Sequence, residues 1–220
     1  MTITKLTSQK TICNSYLIEE DGFVVIIDPG QNDVVEEEID SKGYKPEYIL
    51  LTHEHFDHVE DLEKVRDKYG IPTIASRLCS ERLGDPRTNL SIIEDILSYY
   101  KTGVISEEKS PRFTCREAEI TYEGEFEFLW RGHRFTFVEA PGHSPGCVLI
   151  GLDDEYVFTG DYMLLGEETT LRLRGGDPVA YEKIAVPLIE QIPDGTKVCP
   201  GHGPSYVKGQ EDEAEKTEQV

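Results

Sequence analysis

Positive charge is scarce in this sequence. Its 220 residues include 22 Lys and Arg against 43 Asp and Glu, which gives a formal net charge of −21 at pH 7. Nucleic acids and anionic membranes are normally bound by surfaces rich in Lys and Arg. The imbalance therefore argues against a nucleic-acid substrate and against a membrane partner, and it leaves a small molecule as the expected substrate.

Long apolar runs and paired cysteines are also missing. No segment approaches the roughly 18 apolar residues that a membrane span needs, and the first residues lack the apolar core of a signal peptide. The five cysteines are dispersed and form no C-x-x-C pair, which favours free thiols in a reducing compartment over a disulfide framework. We therefore expect a cytoplasmic protein.

The hydrophobic pattern that is present alternates between strand and helix signals. Strands are predicted at 12–19, 23–28, 48–52, 71–75, 118–122, 125–130, 133–139, 147–151, 156–159 and 196–199. Helices are predicted at 34–43, 59–70, 92–100 and 177–191. This mixture predicts one layered α/β domain over residues 1–207, with helices outside. The irregular segment 84–115 is interpreted as an insertion, and 208–220 as a polar, acidic C-terminal tail.

A dense group of potential metal ligands follows the buried strand predicted at 48–52. Residues 53–58 read His-Glu-His-Phe-Asp-His, and borderline divalent metals such as Zn²⁺ bind imidazole and carboxylate. Alternate residues of an extended segment share one side, so His53, His55 and Asp57 are expected to project together. His58 is then turned towards a second position. Four ligand-type residues within six positions cannot close around a single tetrahedral ion without strain, which indicates two neighbouring metals.

Three further ligand-type residues follow predicted strands. His143 lies in Ala-Pro-Gly-His-Ser-Pro-Gly, Asp161 in Thr-Gly-Asp and His202 in Pro-Gly-His-Gly-Pro. Rigid turns of this kind can present a side chain to a site. Each short motif has little weight alone, because such turns are common, but their ordered combination predicts a metal centre. His133 lies in a predicted hairpin and is given no metal role, and Cys147 is expected to be a packed strand residue.

Together these four motifs resemble the metallo-β-lactamase fold superfamily, over about Cys13 to Pro204. The resemblance implies a four-layer αββα sandwich that binds two divalent metals, with Zn expected first and Fe or Mn as alternatives. The ligands implied for one metal are His53, His55 and His143. Those implied for the other are Asp57, His58 and His202, and Asp161 is implied to bridge both.

Within that superfamily the chain is similar to glyoxalase II-like hydrolases, on the segments Asn14-Ser-Tyr and Asp28-Pro-Gly and on the closing Gly-His-Gly-Pro. This likeness implies hydrolysis of a thioester or related acyl bond by metal-activated water, with Asp57 and Asp161 as catalytic residues. The chain is expected to lack the C-terminal helical region that binds glutathione in that branch, and its arginines near Gly175 are shifted. Glutathione is therefore disfavoured as the thiol carrier. Candidate substrate contacts are Tyr162, Arg172 and Arg174.

Several alternatives stay open from the sequence. A mononuclear iron persulfide dioxygenase would use only His53, His143 and Asp161. A lactonase, a phosphodiesterase or a non-enzymatic metal-binding protein would keep the same ligands. The insertion at 84–115 is interpreted either as a substrate lid or as the interface of a homodimer. The lid candidates in it are Arg87, Tyr99, Tyr100, Lys101, Lys109 and Arg112.

Overall fold

The computed structural model describes residues 1–30, 33–104 and 110–211, and the chain divides after Thr121 into two compact units. The strands are β1 (Thr2–Thr7), β2 (Asn14–Glu20), β3 (Phe23–Ile27), β4 (Lys45–Leu50), β5 (Thr73–Ser76), β6 (Ile120–Tyr122), β7 (Glu125–Trp130), β8 (His133–Glu139), β9 (Val148–Leu152), β10 (Tyr156–Gly160), β11 (Lys197–Pro200) and β12 (Tyr206–Val207). The α-helices are α1 (Val34–Lys42), α2 (Phe56–Val59), α3 (Leu62–Tyr69), α4 (Arg77–Arg82), α5 (Glu94–Thr102), α6 (Pro178–Ala180) and α7 (Val186–Gln191). A 3-10 turn covers Ser91–Ile93, and a π-helical turn covers Tyr181–Ala185.

The first sheet has its six strands in chain order, β1 to β6. Strands β2 and β3 form the predicted antiparallel hairpin, whose turn places Asp21 and Gly22 at positive φ. Such a turn matches the natural twist of paired strands. Strands β3, β4 and β5 then run parallel, so their carboxyl ends lie at the same edge of the sheet. Helices α1 and α3 contribute Val35, Ile39 and Val65 to the core of this unit.

The second sheet has the order β12-β11-β10-β9-β8-β7. Strand β9 is antiparallel to both β8 and β10, and β10 is parallel to β11. Strands β8, β10 and β11 therefore run in one direction and end at the same edge. The core of this unit includes Leu149, Val157 and Val198. The two sheets and their helices confirm the predicted mixed α/β class.

Some predicted helices and strands have the observed bounds, and others do not. Strands β7 and β8 have the predicted bounds because a tight turn at Arg131 and Gly132, both at positive φ, separates two clearly alternating runs. The helix predicted at 177–191 is divided into α6, a π-helical turn and α7. Pro187 has no backbone N–H for the helical ladder, and the wider turn before it accommodates that loss. Strand β1 and helix α4 were not predicted.

The insertion at 84–115 leaves and re-enters the first unit at neighbouring points. The backbone N–H of Cys115 donates to the carbonyl of Leu83 over 3.0 Å, and the amide of Asn89 donates to the carbonyl of Phe113 over 3.0 Å. Between these contacts lies α5, close to the helix predicted at 92–100. The single-domain prediction for 1–207 stays a prediction, and most of the predicted tail lies outside the described residues.

Candidate metal centre

The contiguous ligand segment follows β4 in the first unit. Strand β4 ends in a fully buried stretch, and the next residues are buried up to the first turn of α2. The ring centroids of His53 and His55 lie 4.6 Å apart, and those of His53 and His58 lie 4.1 Å apart. The structure thus gathers the three imidazoles of the segment, with Asp57 buried beside His58 at the start of α2.

Asp28 fixes the orientation of this segment from the neighbouring strand. It follows β3 with a φ of +49°, a conformation that Asp tolerates better than most residues. Its carboxylate accepts hydrogen bonds from the backbone N–H of Thr52 over 2.8 Å and from Nδ1 of His58 over 2.9 Å. Because an ionised carboxylate only accepts, the proton of His58 is on Nδ1 and Nε2 is left for a metal.

Two further contacts hold the loop that carries the ligands. Glu54, between His53 and His55, is fully buried and forms an ion pair with Arg82 of α4. The backbone N–H of Gly30 donates to the carbonyl of His58 over 3.2 Å, and a side chain at Gly30 would lie 2.8 Å from Oγ of Ser15. Glycine is therefore required where this turn approaches β2.

In the second unit, the ligand residues follow strands that end at one edge of the sheet. His143 follows β8, Asp161 follows β10 and His202 follows β11. The parallel pairing of β10 and β11 is continued by a hydrogen bond from the backbone N–H of Gly201 to the carbonyl of Gly160, over 2.7 Å. Three predicted ligands that are distant in sequence are thereby brought together.

The carboxylate of Asp161 lies between two imidazoles. Its Oδ2 is 3.2 Å from Nε2 of His143, and its Oδ1 is 3.3 Å from Nε2 of His202. Burial alone would raise the pKa of Asp161, but the neighbouring His202 and His143 hold that pKa well below its usual range. The carboxylate is therefore ionised and can bind a cation through both oxygens.

The hydrogen bonding of His143 fits a metal at this position. Its Nδ1 lies 2.7 Å from the carbonyl oxygen of Thr170, and a carbonyl can only accept, so Nδ1 carries the proton. In the neutral ring Nε2 is then an acceptor, and it faces the acceptor oxygen of Asp161. A cation at this position, either a metal ion or a proton, would stabilise this arrangement. Imidazole and carboxylate are the donors that zinc and iron accept.

Tyr162 supports the loop of His143 from within the core. Its hydroxyl donates to the carbonyl of Ala140 over 2.6 Å and accepts from the backbone N–H of His143 over 2.9 Å. Burial raises its pKa. The structure thus gives Tyr162 a positioning role, while the predicted substrate contact stays a prediction.

The loop after Thr170 carries both arginines that were predicted to contact substrate. Thr170 is held against His143, and the backbone N–H of Asp177 donates to the carbonyl of Gly142 over 2.7 Å. The loop from Thr170 to Asp177 is therefore fixed at both ends to the turn that carries His143. Arg172 and Arg174 lie between these two ends and are exposed.

The residues that sequence reasoning missed are those that orient the ligands. Asp28 was noticed only for its resemblance to a family segment, and Thr170 acts through a backbone carbonyl that has no sequence signal. Cys13 was counted among dispersed thiols, yet its Sγ lies within 4.8 Å of ligand atoms of Asp57 and His58. His133 begins β8, where its Nδ1 is 2.6 Å from the carboxylate of Asp153.

Several relatives resemble this chain over most of its length. A probable metallo-hydrolase of Bacillus subtilis, YqgX, is 30% identical over 87% of this chain and 85% of its own. The hydroxyacylglutathione hydrolase of Photorhabdus laumondii is 27% identical over 84% of this chain and 60% of its own.

Two solved structures extend the comparison to the fold. The BLEG-1 B3 metallo-β-lactamase is 28% identical with a TM-score of 0.81, over 96% of this chain and 97% of its own. The di-iron-bound form of TTHA1623 is 28% identical with a TM-score of 0.68, over 96% and 98%. No helix in the described ranges has the length and apolar character that crossing a membrane requires.

The family model of the metallo-β-lactamase superfamily matches residues 9–203, a range that contains all seven predicted ligands. The fold expected from the sequence motifs is confirmed by this match and by the solved structures. The chain belongs to the metallo-β-lactamase superfamily.

Proposed function

We propose that this protein is a metal-dependent hydrolase that cleaves thioesters or related acyl compounds. In this proposal two divalent metals are bound by His53, His55, Asp57, His58, His143, Asp161 and His202. The observation that carries it is the orientation of the ligands. A carboxylate fixes His58, a carbonyl fixes His143, and Asp161 lies between two imidazole nitrogens. The names of the B. subtilis relative and of the di-iron structure support a metal-bound hydrolase.

The chemistry follows from the properties of these side chains. Divalent metals bound here would lower the pKa of water from 15.7 towards about 7 and polarise a carbonyl group. Asp57, buried at the start of α2, would accept a hydrogen bond from the attacking water and orient it. Asp161 would keep both oxygens directed to the ligand cluster. A thiolate leaves readily, so the reaction needs no strong general acid from the protein.

The exposed surface of the insertion supports a substrate with an extended acyl group. The insertion exposes Ile96, Tyr99 and Tyr100 on α5, an apolar face suited to an extended acyl group. Lys10 contacts both Glu94 at the start of α5 and Glu60, two residues after His58, so the insertion is tethered beside the ligand segment. Such loops often carry specificity.

The charge of the chain supports a thiol portion other than glutathione. The net charge of −21 disfavours an anionic carrier, and Arg87 of the insertion already pairs with Asp85 over 2.7 Å. Of the other lid candidates, Lys109 lies outside the described residues. The homodimer interpretation of the insertion stays a prediction.

The test combines metal analysis with a substrate panel. We expect close to two metals per chain after incubation with excess Zn²⁺, and hydrolysis of matched acyl thioesters ahead of lactones and phosphodiesters. One iron per chain with oxygen consumption on a persulfide would instead support the dioxygenase. A preference for glutathione thioesters above roughly 100-fold, equal to ~2.7 kcal/mol of transition-state binding, would contradict the proposed thiol specificity.

A second candidate is β-lactam hydrolysis, because BLEG-1 is named a B3 metallo-β-lactamase and its structure resembles this chain. A β-lactam in the same panel separates the two reactions. We expect kcat/KM for the thioester to exceed that for the β-lactam. The reverse order would replace the thioester proposal while leaving the metal-dependent hydrolase intact.

A further inference from the structure

A buried thiol lies beside two of the predicted metal ligands. Cys13 is fully buried directly before β2. The loop that leads to it is closed by a hydrogen bond from the backbone N–H of Ser8 to the carbonyl of Cys13, over 2.9 Å. The preceding Ile12 has a φ of +56° and is 46% exposed, a costly conformation for a β-branched residue. The loop therefore turns Ile12 outwards and Cys13 inwards.

Strand direction explains why Cys13 reaches the ligands. Strand β2 is antiparallel to β3, with Tyr16 opposite Ile27, so the start of β2 lies at the carboxyl end of β3. Asp28 follows β3 at that edge, and Asp28 holds His58 through Nδ1. The same pairing that places Asp28 also places Cys13 beside the ligand segment.

The donor atoms form a compact group. Sγ of Cys13, a carboxylate oxygen of Asp57 and a ring nitrogen of His58 lie within 4.8 Å of one another. Around a tetrahedral zinc ion, a sulfur at about 2.3 Å and a nitrogen at about 2.1 Å lie about 3.6 Å apart. Donors that lie up to 4.8 Å apart would therefore close by about 1–1.5 Å to share one ion, a movement that rotation of these side chains supplies.

Two of the other thiols, Cys115 and Cys147, have different surroundings. Burial raises the pKa of Cys115 to about 12, and its Sγ lies 3.6 Å from the carbonyl oxygen of Val59. Sγ of Cys147 accepts from the backbone N–H of Ser144 over 3.3 Å. Neither belongs to a group of potential metal ligands within the described part of the chain.

We propose that Cys13 is a thiolate ligand of the metal that Asp57 and His58 bind. On binding, the thiol loses its proton to solvent and the sulfur donates an electron pair to the metal. Thiolate is a soft donor, whereas manganese favours oxygen ligands. Cys13 thus biases this position towards Zn²⁺ or Co²⁺ and against Mn²⁺. The inference rests on the proposed function only in requiring that the chain bind metal.

Cobalt substitution tests this ligand without an activity assay. We expect the Co²⁺-loaded full chain to show a thiolate-to-cobalt charge-transfer band in the near ultraviolet. The band should disappear in Cys13→Ser and persist in Cys115→Ser, a control in the same unit whose thiol is also buried. Two bound cobalt ions without the band, or a band unchanged in Cys13→Ser, would overturn the proposal and leave the hydrolase proposal standing. A chain that binds no cobalt and no zinc would overturn both.

X-ray absorption at the zinc edge repeats the test on the unaltered chain, so the result does not depend on a variant that folds. We expect a sulfur scatterer at about 2.3 Å, and a fit with only nitrogen and oxygen neighbours would refute the ligand. Competition between metals gives a further measure. Cys13→Ser should lose about 10-fold or more in affinity for Zn²⁺ and much less for Mn²⁺. Equal losses of affinity for Zn²⁺ and Mn²⁺ would contradict the proposed preference of this position for Zn²⁺.

Discussion

The two units of this protein bring their predicted metal ligands together by opposite means. In the first unit, His53, His55, Asp57 and His58 are contiguous, and one strand end and one short helix position them. In the second unit, His143, Asp161 and His202 are separated by long stretches of sequence, and the common direction of β8, β10 and β11 gathers them. In a contiguous cluster, neighbouring residues only have to orient side chains that are already close together. A dispersed cluster forms only when the strands of the sheet have paired.

Among the variants that test this comparison, Asp161→Ala is expected to have the largest effect. Asp161 contacts both other ligands of the dispersed cluster, so its loss leaves those imidazoles without the central carboxylate. We expect hydrolysis to fall by more than about 100-fold, because even outer partners of ligands are worth about 10–100-fold. Elemental analysis should show metal loss as well. His133→Ala is the matched control and should keep both metal and activity. A folded but inactive His133→Ala enzyme would show that the sixth histidine belongs to the site.

Orientation of the contiguous segment is tested by Asp28→Ala. This change removes the acceptor of Thr52 and of His58, so we expect metal affinity to fall about 10–100-fold. Thr170→Ala is the contrasting variant, because the partner of His143 is a backbone carbonyl that the substitution keeps. Competition with a chelator measures both. A loss in Thr170→Ala as large as that in Asp28→Ala would contradict the assigned contacts.

A smaller effect is expected from Tyr162→Phe. The phenylalanine keeps the ring packed but loses the hydrogen bonds to Ala140 and His143, and unsatisfied buried groups cost about 1–3 kcal/mol. We expect a loss of that size in the free energy of unfolding, with a weaker decrease in metal affinity than for Asp161→Ala. Urea unfolding with metal removed isolates the structural part. Unchanged unfolding would show that water replaces the hydroxyl.

The smallest effect concerns the hairpin outside the ligand clusters. Burial alone would raise the pKa of Asp153, but hydrogen bonds from the Arg134 backbone and from His133 lower it. A carboxyl with a lowered pKa in the folded state adds stability above its unfolded pKa of about 3.9, and that stability is lost as pH falls below it. Asp153→Asn should therefore cost less than about 1 kcal/mol at neutral pH. In urea unfolding, the difference in free energy of unfolding between Asp153→Asn and the unaltered chain should shrink below about pH 4.

The contiguous and the dispersed cluster also differ in how far the sequence predicts them. The contiguous motif His53 to His58 could be identified from ligand types alone, because its members follow one buried strand. The dispersed ligands were found through Gly and Pro turns after strands, which the structure places at one sheet edge. The partners that orient them, Asp28 and the carbonyl of Thr170, could not be found, because each contact joins segments that only the tertiary fold brings together.

The fold shows the same division. Strands β7 and β8 were predicted with their bounds, since a tight turn separates two alternating runs. Helix α4 was not predicted, because Arg77–Arg82 has no apolar repeat and depends on the cap at Ser76, whose side chain accepts from the N–H of Cys79. The division of the helix at 177–191 also depends on packing around Pro187.

By itself, the sequence determined the donor chemistry of this protein. Imidazoles and carboxylates at strand ends are legible because ligand type and turn residues are local properties. Tertiary structure alone decided which donors meet and how each is oriented. The antiparallel pairing of β2 with β3 brings Cys13, counted at first among dispersed thiols, to the edge where Asp28 holds His58. Strand register is a long-range property, set by packing and backbone hydrogen bonds across the whole sheet, and no short stretch of sequence contains it.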